Sequence, residues 1–275
     1  MIYIKNEKEV RAIREGGKRL NAILKKIASL VKPGASTLLL EKIAEEEINL
    51  AGGIPAFKNY PMGGGIYFPS ALCVSINEEV VHGASLPERI IKAGDIVDLD
   101  IGMEWPTNTK LREEFNLPVN PHSKNGGFFT DTCLTVPAGA ISPELKKLLR
   151  VTKECLYAGI KEAKTGNRMN DIARAIESLA EINGYGVVRD LVGHGVGYFA
   201  HEEPDVLNFT ISERSPDNIL LKKGMVIAIE PMINLGDYRV KVAKNGYTII
   251  TRDGLASAHF EHTVYIGENG PEILT

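Results

Sequence analysis

Cysteine is scarce. Cys73, Cys133 and Cys155 are the only three in 275 residues, odd in number and far apart. That pattern excludes a disulfide framework and a cysteine-rich zinc site, and it fits a reducing, cytoplasmic setting. Basic runs are missing too: none exceeds two residues and the net charge is −3, so the composition carries no nucleic-acid footprint. No apolar run approaches the ~20 residues of a membrane helix, and the charged stretch from Met1 to Arg11 lacks the apolar core of a signal peptide. A His-Glu-x-x-His pattern is also absent, which removes the zincin helix.

What is present reads as an ordinary globular chain, with 44% hydrophobic and 24% charged residues at a length near the limit for one core. Val10, Ile13, Gly17, Leu20, Leu24 and Ile27 recur at helical spacing and predict a helix ending before Pro33-Gly34. A second helix is expected from Thr37 to Leu50, with Thr37 as N-cap and Gly52-Gly53 as the stop. Short β-type runs follow at 72–76, 96–101 and 128–136. Ser142 then caps a helix to about Lys164, another runs from Asn170 to Ile182, and strand-like runs occupy 187–191, 225–229, 240–242, 247–251 and 260–266. Helices then strands, twice over, predict an α+β fold in one domain, 1–275, with similar halves of about 1–136 and 137–275. Residues 103–127, rich in proline, asparagine and charge, read as a surface insertion that a lid, a partner contact or an inert excursion would each explain.

Alternation in Ile96–Ile101 puts Val97, Leu99 and Ile101 on one face and Asp98 and Asp100 on the other, ordinarily a solvated face. Asp131 sits inside a second apolar run, and if the two strands pair, Asp100 and Asp131 face each other, a costly arrangement without a cation. His194 and His201 stand seven residues apart among glycines that let backbone approach a ligand. Glu230 closes the buried-strand run 225–229 and Glu261 interrupts another, each expensive to bury unless paired, with a salt bridge as the ordinary alternative. Four carboxylates and one imidazole match the charge of two divalent cations. Such an oxygen-rich set suits Mn, Fe, Co or Zn, and two ions would activate a water for hydrolysis.

Taken in order, Asn77-Glu78-Glu79-Val80-Val81-His82-Gly83, Val97-Asp98-Leu99-Asp100, Thr130-Asp131-Thr132, Gly193-His194-Gly195-Val196-Gly197, His201-Glu202-Glu203-Pro204, Ile229-Glu230-Pro231-Met232 and Phe260-Glu261-His262-Thr263 make the chain similar to type I methionine aminopeptidases over nearly its whole length. The resemblance implies a pita-bread fold, two pseudo-symmetric halves of helices packed on a curved antiparallel sheet. It implies two divalent ions held by Asp100, Asp131, His194, Glu230 and Glu261. The implied activity is that of an exopeptidase removing the initiator methionine before a small second residue. His82 would stand near the scissile amide, His201 near the carbonyl oxygen, Glu230 would relay the proton, and Phe68, Cys73 and Tyr247 would line the methionine pocket. Methionyl peptides and nascent chains, with the ribosome, are the implied partners of a monomer that needs no membrane or specific nucleic acid.

His122, His259 and His262 match no ligand role and are expected to be structural. The sequence departs from the family pattern at Ala200, at Tyr247, in Met62 with Gly63-Gly64-Gly65, and in the long gap between Asp100 and Asp131. Two other readings stay open. A proline-specific peptidase (prolidase or aminopeptidase P) shares the fold and ligands but usually carries an extra N-terminal domain, and a non-catalytic pita-bread binding protein would be expected to lose ligands.

Overall fold

Asn6 starts the first helix. Its side chain accepts from Lys8 N and Glu9 N at 3.0 and 3.1 Å while the Glu9 carboxylate accepts from Asn6 N at 2.8 Å, a reciprocal cap that sets α1 at Glu7–Ala28. In the computed structural model, which describes residues 1–275, α2 spans Thr37–Leu50 but its cap is Ser36, not Thr37. Ser36 is extended and its Oγ accepts from Leu39 N. Thr37 is already helical, and its hydroxyl donates to Ser85 O and accepts from Arg89 N at 2.7 and 2.9 Å.

These helices cover an antiparallel sheet built on the strand Ile96–Trp105. One of its edges pairs with Leu72–Ile76 and Ile54–Pro55, the other with Phe128–Pro137. Val97, Leu99, Ile101, Met103 and Trp105 join α1 and α2 in one core. All ten residues of the strand are buried, so both of its faces are covered. Residues 103–105, expected in the insertion, therefore belong to the sheet. The remainder is not a free excursion: after α3 (Thr109–Glu114), the buried Asn120 donates to Gly127 O at 2.7 Å and to Tyr198 O at 2.9 Å.

Ser142 caps α4 (Pro143–Glu162), which packs with α5 (Met169–Ile182) into a second, larger core. Beneath lie five antiparallel strands in the order Glu202–Val206, Gly193–Gly195, Val226–Ile229, His262–Gly267 and Gly270–Ile273, and a separate ladder of Ser257–His259, Met232–Asn234 and Gly186–Val187. The run expected at 187–191 is strand only at Gly186–Val187. That expected at 247–251 begins at Ile249, because Asn245 Oδ1 captures Tyr247 N and Thr248 N in a turn.

The expected strand 260–266 is broken at Phe260-Glu261, and its neighbour is broken at Glu230-Pro231. The breaks lie side by side, since Ile229 pairs with His262 and Met232 with His259. At that level the strand pair leaves one sheet and enters the other. Phe128–Pro137 lies along this seam: Glu261 N donates to Cys133 O at 3.2 Å, and Asp131 N donates to Thr263 Oγ1, which itself donates to Asp131 O at 2.8 Å. No helix is long and apolar enough to cross a membrane.

Candidate metal centre

Burial on both faces of Ile96–Trp105 decides the fate of its aspartates. Asp98 and Asp100 are 2% and 8% exposed, so the solvated-face expectation fails; the second half of the chain covers the face on which they project. Asp100 pairs with Cys133 and Gly102 with Asp131, which makes Asp100 and Asp131 diagonal neighbours on one face instead of directly opposed. Glu230 and Glu261 come in from the two strand breaks.

His194 completes the set. Gly193 and Gly195 serve packing rather than ligand approach, because a Cβ on them would lie 2.3 Å from Ala228 O and 2.4 Å from Glu203 O. His194 Nδ1 is 2.9 Å from the carbonyl of Gly195, a contact that assigns the proton to Nδ1 and leaves the Nε2 lone pair facing Glu230 Oε1 at 3.3 Å and Asp131 Oδ2 at 4.0 Å.

Lone pairs aimed at one another call for a cation between them. One oxygen of each of Asp100, Asp131, Glu230 and Glu261 is buried without a hydrogen-bond partner, and the donor atoms of Asp131, His194 and Glu261 lie within 4.8 Å of one another. Burial first, then neighbouring carboxylates, pushes Asp100 up to about 7 and Asp131 and Glu261 well above the carboxylate range. Divalent ions reverse that preference, so the residues present fit a metal centre.

All five of these residues line one cavity of about 340 Å³, together with His82, His201, Phe68 and Cys73. His82 projects into it from a left-handed backbone (φ 58°), held by Thr248 Oγ1 donating to its carbonyl at 2.9 Å, and the next residue must be glycine because a Cβ would sit 2.4 Å from Val74 O. Burial lowers the His82 imidazole below its usual range; burial and then His194 and His82 do the same to His201, whose ring still opens on the cavity. Burial, then Asp100, raises the Cys73 thiol and keeps it protonated. Tyr247 stands behind the wall, edge-on to Phe68 at 5.7 Å, so its contact with the cavity is indirect. Met62, noted as a departure from the family pattern, lies in the wall, and Tyr60, Leu191 and Met232 supply further wall that the sequence left unassigned.

His259, expected to be structural, also lines the cavity, with Nε2 3.5 Å from Glu230 Oε2 and Nδ1 3.6 Å from Asp98 Oδ2. Burial opposes its charge, but Asp98 and Glu230 outweigh burial and hold it well above the usual histidine range. Its position two residues before Glu261 was the available signal. His262 faces a different cavity, beside Thr275, and His122 stacks on Tyr3 and Tyr198.

The model of metallopeptidase family M24 matches residues 11–111 and 115–268. The chain belongs to that family. It is 42% identical to a methionine aminopeptidase of Clostridium acetobutylicum, with 100% of this chain and 99% of the relative covered. The crystal structure of a methionine aminopeptidase from Thermotoga maritima superposes with a TM-score of 0.87 at 38% identity, covering 100% and 99% of the two chains. A prolidase from Pyrococcus horikoshii, 20% identical, shares the fold alone, with a TM-score of 0.72 over 99% of this chain and 63% of its own. The fold is thus the α+β pita-bread fold, and this M24 chain is a metal-dependent hydrolase of the aminopeptidase class.

Proposed function

We propose that this chain is a methionine aminopeptidase that removes N-terminal methionine before a small second residue, with Asp100, Asp131, His194, Glu230 and Glu261 holding two divalent ions. The observation that carries the ligand set is the convergence of these donors, each of the four carboxylates keeping a buried orphan oxygen, on one cavity with an apolar wall.

Divalent ions bound there supply Lewis acidity that polarises a carbonyl and acidifies water. The chain's own residues do the rest. Phe68, Cys73 and the walls around Tyr60 and Met62 take up an unbranched apolar side chain and exclude water from it. His201 donates to the carbonyl oxygen of the first peptide bond as negative charge develops there. Glu230 accepts the proton of the attacking water and passes it to the departing amine, beside which His82 is placed. Nascent chains in a reducing, cytoplasmic compartment are the natural source of such substrates, and three free cysteines suit that setting.

Stripped of metal and reconstituted with Mn, Fe, Co or Zn, with metal counted per chain, the protein is expected to release methionine from Met-Ala-Ser and to leave Xaa-Pro peptides intact. Cleavage of Xaa-Pro peptides alone would overturn the assignment in favour of a proline-specific peptidase. Two bound ions without cleavage of either would favour a binding protein.

A further inference from the structure

Glu230 sits at a strand break, between Ile229 and Pro231, where no ladder fixes its side chain. Its main chain is held by Asn208 Nδ2, which donates to Glu230 O at 3.2 Å. The side chain stands between two imidazoles: Oε1 faces His194 Nε2 at 3.3 Å, and Oε2 faces His259 Nε2 at 3.5 Å. His259 is itself spanned, since its Nδ1 faces Asp98 Oδ2 at 3.6 Å, and Asp98 Oδ1 lies 3.3 Å from Thr135 Oγ1. Thr135 Oγ1 also donates to His259 O and accepts from His259 N, at 2.8 and 2.9 Å. Asp98 and His259 are 2% and 1% exposed, so both side chains are held within the protein, with the His259 ring at the edge of the cavity.

We propose that His259, clamped by Asp98 and Thr135, is the positioning residue for Glu230: it orients the carboxylate so that Oε1 points at the ions. This rests on the reading of Glu230 as a metal ligand. The arrangement is a carboxylate–imidazole–carboxylate relay in which the last carboxylate is the ligand, and loss of such supporting partners weakens metal binding. At 3.5 and 3.6 Å neither ring nitrogen closes a hydrogen bond and Oε1 has no partner; a small approach of the ring that lets Nε2 donate to Oε2 leaves Oε1 free for an ion.

The test is calorimetric titration of the metal-free full chain with Mn(II), for wild type, His259→Ala, His259→Gln and Asp98→Asn. Roughly 10- to 100-fold weaker binding is expected for His259→Ala, with partial recovery in His259→Gln, whose amide still donates toward Glu230, and a loss in the same direction for Asp98→Asn. On Met-Ala-Ser at saturating metal, kcat should fall in His259→Ala with KM little changed. Thermal unfolding of the metal-free variants separates misfolding from weak binding, and the glutamine variant carries the test if alanine does not fold. Unchanged Mn(II) affinity in both His259 variants would overturn the proposal. So would a third ion in the wild type that His259→Ala loses, because His259 would then be a ligand. A wild type that binds Mn(II) yet spares Met-Ala-Ser would defeat the proposed activity while leaving the affinity comparison to judge the positioning role.

Discussion

In the proposed mechanism His201 combines two properties that conflict in water: it donates a hydrogen bond, and it carries no charge that would repel two nearby cations. Burial in the cavity wall and the adjacent His194 ring, 4.2 Å away between centroids, lower its affinity for a proton, so it is neutral at neutral pH and donates through one ring nitrogen only. His201→Ala should therefore reduce kcat/KM on Met-Ala-Ser by about 100- to 1,000-fold, the loss falling on kcat, and His201→Gln should recover part of it because the amide still donates. A KM effect with kcat intact would assign His201 to substrate binding instead. At this scale the sequence was legible where a residue type is costly out of context: Asp131, Glu230 and Glu261 stood out inside apolar runs. It was not legible for Asp98, because the alternation that puts Asp98 beside Asp100 is the same for a wet face and for a face covered by the other half of the chain. His259 was missed for the same reason, since Asp98 and Thr135 lie on strands more than a hundred residues away.

Elements tie these residues down, and the segment between Asp100 and Asp131 shows how. It begins as sheet, passes through α3, and returns through an anchored loop in which buried Glu104 accepts from Gly127 N at 3.0 Å and Asn125 Nδ2 at 2.9 Å, while Arg112 bridges Pro106 O and Asn125 O. None of its residues lines the cavity. Asn120→Ala removes two donated bonds and strands two buried carbonyls, a loss of about 1–3 kcal/mol. It should lower the melting temperature while leaving kcat and KM for Met-Ala-Ser near wild type. A rise in KM would restore the lid reading. Helix positions were readable because caps and stripes are local: Ser142, Asn183 and the α1 stripe fall where periodicity puts them. The strand breaks at Glu230 and Glu261 were not, because apolar continuity says nothing about a strand passing from one sheet to another. Those breaks are what free both carboxylates to turn inward.

Across the whole molecule, two cores each carry a helix pair, and the seam between their sheets concentrates negative charge that neither half could bury alone. The stability of the metal-free protein should register that concentration. Asp100, Asp131 and Glu261 hold their protons more tightly when folded than when unfolded, and so does His259. Wherever the folded state binds more protons, stability falls as pH rises. His82 and His201 are shifted the other way, and they lose stability as pH falls below about 6.5, the unperturbed histidine value. Above about pH 7.5 both rings are neutral in either state, so only the first group titrates. The metal-free protein should then lose melting temperature from about pH 7.5 to 8.5, by several degrees, at about 1.4 kcal/mol per pH unit for each group, Asp131, Glu261 and His259 foremost, that is forced to give up its proton. Saturating Mn(II) should abolish that slope, because divalent ions favour the ionised carboxylates, and binding at pH 6.5 should release protons into the buffer. Differential scanning calorimetry with and without metal across this range checks both. A metal-free protein whose melting temperature is flat or rises between pH 7.5 and 8.5 would mean that the seam does not hold its carboxylates in repulsive contact, and with that the physical reason for placing cations there would be lost.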